Sequence, residues 1–300
     1  MIKLGYKLMS EEHGPTDLVR NANRAEQAGF DFTAISDHFF PWVEEQGHSP
    51  LAWSVLGAVA NATRHIGLMT AVTCPIMRYH PAIIAQGAAT LGLLSDNRFT
   101  LGLGAGERLN EHVVGEGWPG RGERHERLSE AVDIIQGLLA GTLTNYRGDY
   151  FRLDDARLFD RPDIKPAVAI AAGGSKAARF AGRKGDALIV TEPRAELTEA
   201  FVSAGGAALC RGGDVLRPAR GGCPKNGPSI FSLVGHWLAG NGGTARYRQF
   251  RCGEPACISR DGGPGRQLRA LPGASSRGDQ SLRPGWLRSH HPGPSRAASG

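Results

Sequence analysis

The first 200 residues of this 300-residue chain predict a β/α barrel, and three observations carry the prediction. Short apolar runs alternate with helical patterns about six times. The runs do not alternate strictly between apolar and polar, as expected of parallel strands buried on both faces under a helical layer. Polar clusters follow the strand ends directly: Ser36-Asp37-His38, Thr73-Cys74-Pro75, residues 104–110 and Gly173-Gly174. In β/α barrels that rim carries the chemistry. A doubly wound open sheet is the alternative, but no GxGxxG follows the first strand.

The elements follow in order. Residues 2–5 read as a strand. Residues 15–28 form a helix with Leu18, Ala22 and Ala25 on one face and Gly29 at its stop. Residues 32–35 are a buried strand, 52–62 a helix, and 66–70 a strand again. Pro81 opens a helix to about Leu94, because proline in the first turn lacks an N–H that the helix leaves unpaired. Residues 99–103 are a strand. Residues 123–139 are a long helix with Leu128, Val132, Ile135 and Leu139 on one face. Residues 145–160 read as an inserted excursion, a small hairpin. A strand at 168–171, a helix at 176–181 and a strand at 187–190 complete the series.

The pattern fails after about residue 200. Gly makes up 20 and Pro 9 of the last 100 residues, and apolar runs there are isolated. A chain so rich in Gly, Arg, Pro and Ser has a high ordering entropy and little surface to bury. Two domains are therefore expected: a partial barrel over 1–200, and a segment over 201–300 that is disordered or frameshifted, since GC-rich coding sequence read in the wrong frame gives this mixture. A barrel lacking two strands leaves two open edges.

Charge divides at the same place. Residues 201–300 hold 13 Arg and 1 Lys against 4 acids, while residues 1–200 hold 21 basic and 25 acidic residues, so the overall +6 describes neither part. The basic charge is scattered without a recognition helix, aromatic platform or stripe, which argues against nucleic acid. No charged leader precedes an apolar run, and no apolar stretch reaches the roughly 18–20 residues of a membrane span. A cytoplasmic protein is expected. Cys252 and Cys257 lack a second pair or a histidine at zinc spacing, so no metal is expected.

Several rim groups suit proton and hydride chemistry. His38 can accept a proton near neutral pH, and Trp42 beside it can cover a flat ring or steady positive charge. The plainer reading is a rim histidine bonded to a loop carbonyl and a tryptophan that only packs. Glu107 and Asn110 lie in Gly102-Leu103-Gly104-Ala105-Gly106-Glu107-Arg108-Leu109-Asn110, whose glycines let a planar ligand approach the backbone. Glu107 could exchange a proton with such a ring and Asn110 orient it, or the segment is only a glycine-rich turn and cap. Gly173-Gly174-Ser175 opens a helix whose free N–H groups suit a phosphate, although Ser175 could simply cap it. His80-Pro81 also fits a mere helix start.

Together and in order, Ser36-Asp37-His38-Phe39-Phe40-Pro41-Trp42, Met69-Thr70-Ala71-Val72-Thr73-Cys74-Pro75, Arg78-Tyr79-His80-Pro81-Ala82, Gly104-Ala105-Gly106-Glu107-Arg108-Leu109-Asn110-Glu111 and Ala171-Ala172-Gly173-Gly174 carry a resemblance. Residues 1–200 resemble the F420-dependent branch of the luciferase-like oxidoreductase superfamily, close to the F420-dependent glucose-6-phosphate dehydrogenase group. The resemblance implies a TIM (β/α)8 barrel, here with its last two βα units missing or scrambled. It implies the deazaflavin coenzyme F420 lying across the C-terminal rim, and a hydride taken from an alcohol or sugar carbon. His38 then matches the base that takes the hydroxyl proton, Trp42 the residue packed by the substrate, and Glu107 the acid serving ring nitrogen N1. Asp37 and Asn110 match residues touching the coenzyme. Ala71 and Val72 match a non-proline cis bond behind the ring, and Gly173, Gly174 and Thr191 match positions near the coenzyme's phosphate. Family members are often homodimers.

The sequence also departs from that group. A lysine expected after the sixth strand, for a substrate phosphate, is replaced by Thr191-Glu192-Pro193-Arg194. Glucose 6-phosphate itself is therefore not expected. The rival readings are an FMN-dependent luciferase-like monooxygenase, an inactive barrel fragment and a basic binding protein.

Overall fold

The computed structural model describes residues 3–142, 144–192 and 194–206, with backbone alone at 144, 230–232 and 246–250. Six parallel strands curl into the wall of a barrel: β1 (Leu4–Leu8), β2 (Phe32–Ile35), β3 (Gly67–Thr70), β4 (Phe99–Leu103), β7 (Ala167–Ala171) and β8 (Ala187–Val190). Helices α1 (Pro15–Gln27), α2 (Ala52–Ala62), α3 (Pro81–Leu94), α5 (Arg121–Leu139), α6 (Ser175–Lys184) and α7 (Ala195–Ser203) follow these strands, with a short α4 (Arg108–Glu111) after β4. The expected excursion is an antiparallel hairpin of β5 (Thr144–Arg147) and β6 (Arg152–Ala156). Its turn is held by Glu130, which accepts the backbone N–H groups of Asp149, Tyr150 and Phe151.

Side chains sort by strand parity into two layers. Ile35, Leu68, Leu101, Val168, Ile170 and Leu188 pack with the helices, against Val55, Ile84, Ile135 and Phe201 among others. Phe32, Ala34, Met69, Ala169, Ala187 and Ile189 form a separate, smaller cluster. A fully buried Leu or Ile stabilises by about 1.5–3 kcal/mol, so the helical layer rests on this packing more than on its caps. Gly5 makes room in the smaller cluster, since a Cβ there would stand 2.3 Å from the Phe32 ring.

The local start and stop signals work as their chemistry requires. Pro15 occupies the first turn of α1, and Gly29 beyond its end has φ +81°. His80 caps α3: its Nδ1 accepts the Ala82 N–H at 3.2 Å, ahead of Pro81. The plainer reading of His80 therefore holds.

Three boundaries differ from expectation. Strand β1 lies later, at Leu4–Leu8, which draws Lys7 into the barrel. Helix α6 runs on to Lys184, with Arg183 and Lys184 in its last turn where the helix dipole favours cations. Helix α7 was not anticipated; Leu197 and Phe201 bury its inner face.

Two short strands close the ring. Strand β9 (Ile230–Ser232) pairs parallel with β8, and β10 (Arg246–Phe250) pairs antiparallel with both β9 and β1. The bare edges expected of a six-strand wall are thus paired. The direction of β10 breaks the repeating βα pattern, in which each crossover returns a parallel strand. The other residues beyond 206, including Cys252 and Cys257 and the expected disorder or frameshift, lie outside the described residues.

Candidate functional site

A cavity of about 1030 Å³ opens at the C-terminal ends of the parallel strands. His38, Trp42, Glu107, Asp37, Ala71, Val72, Asn110, Gly173, Gly174 and Thr191 all line it. The sequence spreads these ten across 155 positions, and the barrel brings them to one rim because each follows a strand whose end points the same way.

His38 is held between two carboxylates. Its Nδ1 lies 2.8 Å from Oε1 of Glu11, a residue of the loop after β1, and its Nε2 lies 3.7 Å from Oε1 of Glu107. Neither Nδ1 nor the Glu11 Oε1 has any other partner among the described residues. Burial pushes the Glu11 carboxyl up, but the His38 contact and the Lys7 charge outweigh it, and the group falls to about 2. Glu11 is therefore an anion at any working pH. A carboxylate accepts, so Nδ1 carries the proton and Nε2 keeps the free lone pair. Burial raises Glu107 above the ordinary carboxylate range; the His38 charge opposes this and the Glu11 charge adds to it. Trp42 stands edge-on to the His38 ring, centroids 5.0 Å apart.

Glu11 and Lys7 were not singled out from sequence. Glu11 sits in a polar stretch with no local signal of burial. The available signal for Lys7 was a lysine inside the apolar run Tyr6-Lys7-Leu8-Met9.

Asp37 is occupied by the protein itself. Its Oδ2 accepts from Trp53 Nε1 at 3.1 Å and Thr73 Oγ1 at 2.8 Å, and its Oδ1 accepts from Tyr79 OH at 3.1 Å and Arg78 Nη2 at 3.3 Å. Arg78 reaches onward to Glu111, whose Oε1 lies 3.5 Å from Nε. Arg78 thus ties the loop after β2 to α4 after β4.

Asn110 is buried and half used. Its Oδ1 accepts the N–H groups of Phe39 at 2.8 Å and Phe40 at 3.1 Å, while its Nδ2 is buried with no partner among the described residues. Two N–H donors fix the oxygen's position, so the unpaired Nδ2 is a donor awaiting an acceptor. The bond between Ala71 and Val72 is cis, as the resemblance implied. A Cβ on Gly104 would stand 2.6 Å from Val72 Cγ2, so the backbone approach there needs glycine.

The far end of the cavity is cationic. Helix α6 starts at Gly174 without a side-chain cap, and Cβ atoms on Gly173 or Gly174 would meet open space. Arg121, His125 and Lys176 line this end. Burial lowers His125, and the charges of Lys176, Arg124 and Arg121 lower it further. Uncapped N–H groups beside like charges suit an anion. Arg194 is engaged elsewhere: Nη2 donates to the Gly173 carbonyl at 2.6 Å and Nη1 lies 3.3 Å from Glu196. No described helix is long and apolar enough to cross a membrane.

Several known proteins are similar to this chain. The family model described as luciferase-like monooxygenase matches residues 2–211. An F420-dependent glucose-6-phosphate dehydrogenase of Amycolatopsis mediterranei is 47% identical over 192 residues, covering 64% of this chain and 58% of that protein. One of Segniliparus rotundus is 43% identical over 227 residues, covering 75% and 67%. Among solved structures, an F420-dependent secondary alcohol dehydrogenase in complex with an F420-acetone adduct matches at TM-score 0.64 and 36% identity, covering 67% of this chain and 64% of that one. The chain spans about 58% of the length of the Amycolatopsis protein.

Proposed function

The chain belongs to the luciferase-like monooxygenase family, and from that membership we propose that it is an oxidoreductase that binds coenzyme F420 in this cavity and serves hydride transfer from an alcohol or sugar carbon. The observation that carries the reading is the placement of His38, with Nδ1 held by Glu11 and Nε2 turned toward Glu107 at the cavity. The names of the relatives support the coenzyme and the reaction class.

The residues present fit such a coenzyme. The unpaired Asn110 Nδ2 suits a ring carbonyl. Ala71 and Val72 offer an apolar floor. Gly173, Gly174, the start of α6, Arg121 and Lys176 suit a phosphate-bearing tail, with Thr191 nearby. When bound, the coenzyme supplies a flat hydride acceptor.

The protein supplies the proton chemistry. A carbinol carbon that loses hydride gains positive character, so its hydroxyl proton must leave as well. His38 Nε2 is the base that takes it. The Glu11 carboxylate then stabilises the imidazolium through Nδ1. Trp42 presents its ring beside the same point and covers the substrate. Glu107, whose carboxyl burial pushes above its ordinary range, would hold or give a proton at the ring nitrogen. Asp37 acts through the loops it fastens as well as at the cavity wall. Because Arg194 is tied to Gly173 and Glu196, the site favours an uncharged alcohol or sugar over a sugar phosphate.

The test is turnover of F420 with a panel of secondary alcohols and sugars, for the full chain and for His38→Ala. Reduction of F420 that His38→Ala abolishes is expected. Turnover unchanged in His38→Ala would remove the assigned base.

A further inference from the structure

Lys7 is a buried cation that the reaction as described does not use. It lies on β1 in register with Ala34, a member of the smaller core cluster, and is 7% exposed. Its Nζ donates to Ser36 Oγ. Ser36 sits two residues before His38, and its carbonyl accepts from Ser10 Oγ at 3.2 Å. The same hydroxyl lies 3.3 Å from Glu11 Oε2, so its one proton is shared between the two acceptors. Lys7, Ser36, Ser10, Glu11 and His38 therefore form one connected group beneath the cavity wall.

A buried ammonium is costly to keep, and a packing role at this position is met as well by methionine or leucine. What an apolar residue cannot supply is charge. Glu11 is almost fully buried, and a buried carboxyl without compensation takes up a proton. A protonated Glu11 no longer requires His38 to carry its proton on Nδ1, and Nε2 is then no longer held free.

We propose that Lys7 is a positioning residue for the site: its buried ammonium keeps Glu11 a carboxylate, and that carboxylate fixes His38 with Nδ1 protonated and Nε2 open to the cavity. The groups whose charge acts on Glu11 are Lys7 from β1 and His38 from the loop after β2; Glu107, after β4, feels the charge of Glu11 in turn. Burial brings Lys7 itself down to about 8, against the pull of Glu11.

The proposal rests on His38 being the base, but its test needs neither coenzyme nor substrate, so the two can fail separately. The full chain is labelled with 13C-carboxyl glutamate and 15N-histidine, and the signals are assigned with Glu11→Gln and His38→Gln. In the unsubstituted chain the Glu11 carboxyl signal is expected to stay at its ionised position from pH 7 to pH 4, with His38 a single Nδ1–H tautomer at neutral pH. In Lys7→Met the Glu11 midpoint moves up by one pH unit or more, so its signal bends toward the protonated position within that window. Ser36→Ala, which leaves the ammonium in place but unanchored, gives a smaller change in the same direction and serves if Lys7→Met does not fold. A flat Glu11 signal from pH 7 to pH 4 in whichever variant folds would overturn the proposal.

Discussion

Glu11 Oε1 and His38 Nδ1 meet at 2.8 Å, joining the loop after β1 to the loop after β2, which follow paired parallel strands. The contact gives the imidazole a direction. With Nδ1 committed, the other nitrogen is the one that faces the cavity, and 3.7 Å beyond it stands Glu107.

Glu11→Gln keeps the size of the side chain and removes its charge. Partners that orient a metal-bound imidazole are worth about 10–100-fold, and a similar loss is expected for one that orients a base. The variant is expected to lower kcat by that amount while the F420 dissociation constant moves less than about threefold. Loss of binding with kcat intact would assign Glu11 to the coenzyme instead. The sign of the pH effect follows from the depressed Glu11 value near 2: the charge is in place above the ordinary carboxylate range and is lost only as pH falls toward 2. Glu11 therefore adds no acid limb to activity between pH 5 and 8.

Asn110→Ala removes the unpaired Nδ2 donor together with the acceptor that holds Phe39 and Phe40. Coenzyme binding weakens by roughly tenfold, about 1.4 kcal/mol. Fluorescence titration of F420 measures it; an unchanged constant would mean that Nδ2 meets no ring.

Arg78→Met leaves Asp37 and Glu111 buried without their shared cation. Breaking such a pair costs about 3–5 kcal/mol. Urea unfolding should show a midpoint lowered in proportion, and a midpoint within experimental error of the parent would show that the network is not structural.

Lys7 imposes a pH dependence on stability. Its value falls from about 10.5 when unfolded to about 8 when folded, so between those values the unfolded chain binds more protons. Stability then rises with pH through that window, by up to about 3 kcal/mol. Urea midpoints from pH 7.5 to 10 should climb in the parent and lack that climb in Lys7→Met.

The outer layer of the fold was legible because its signals are local. The apolar faces of α1 and α5, Pro81 at the start of α3 and Gly29 after α1 each act within a few residues. The strands at Phe32–Ile35 and Phe99–Leu103 were legible as short apolar runs. Of the site, the residues after strand ends were legible, because a β/α barrel collects them whatever their spacing. Glu11 was not, since its partner His38 lies 27 residues away in sequence. Lys7 was missed with the late placement of β1. The full engagement of Asp37 with Trp53, Thr73, Arg78 and Tyr79 is likewise long-range and left no mark on its neighbours in sequence. Helix α7 was lost against the glycine-rich stretch that follows it.

One flat, hydride-accepting ring seated between His38 and Glu107 is central to the proposed chemistry. The direct measurement is parallel titration of the full chain with F420 and with FMN, by fluorescence. Saturable F420 binding that Asn110→Ala weakens, with FMN failing to compete at tenfold excess, is the predicted result. Tight FMN binding with no affinity for F420 would contradict it.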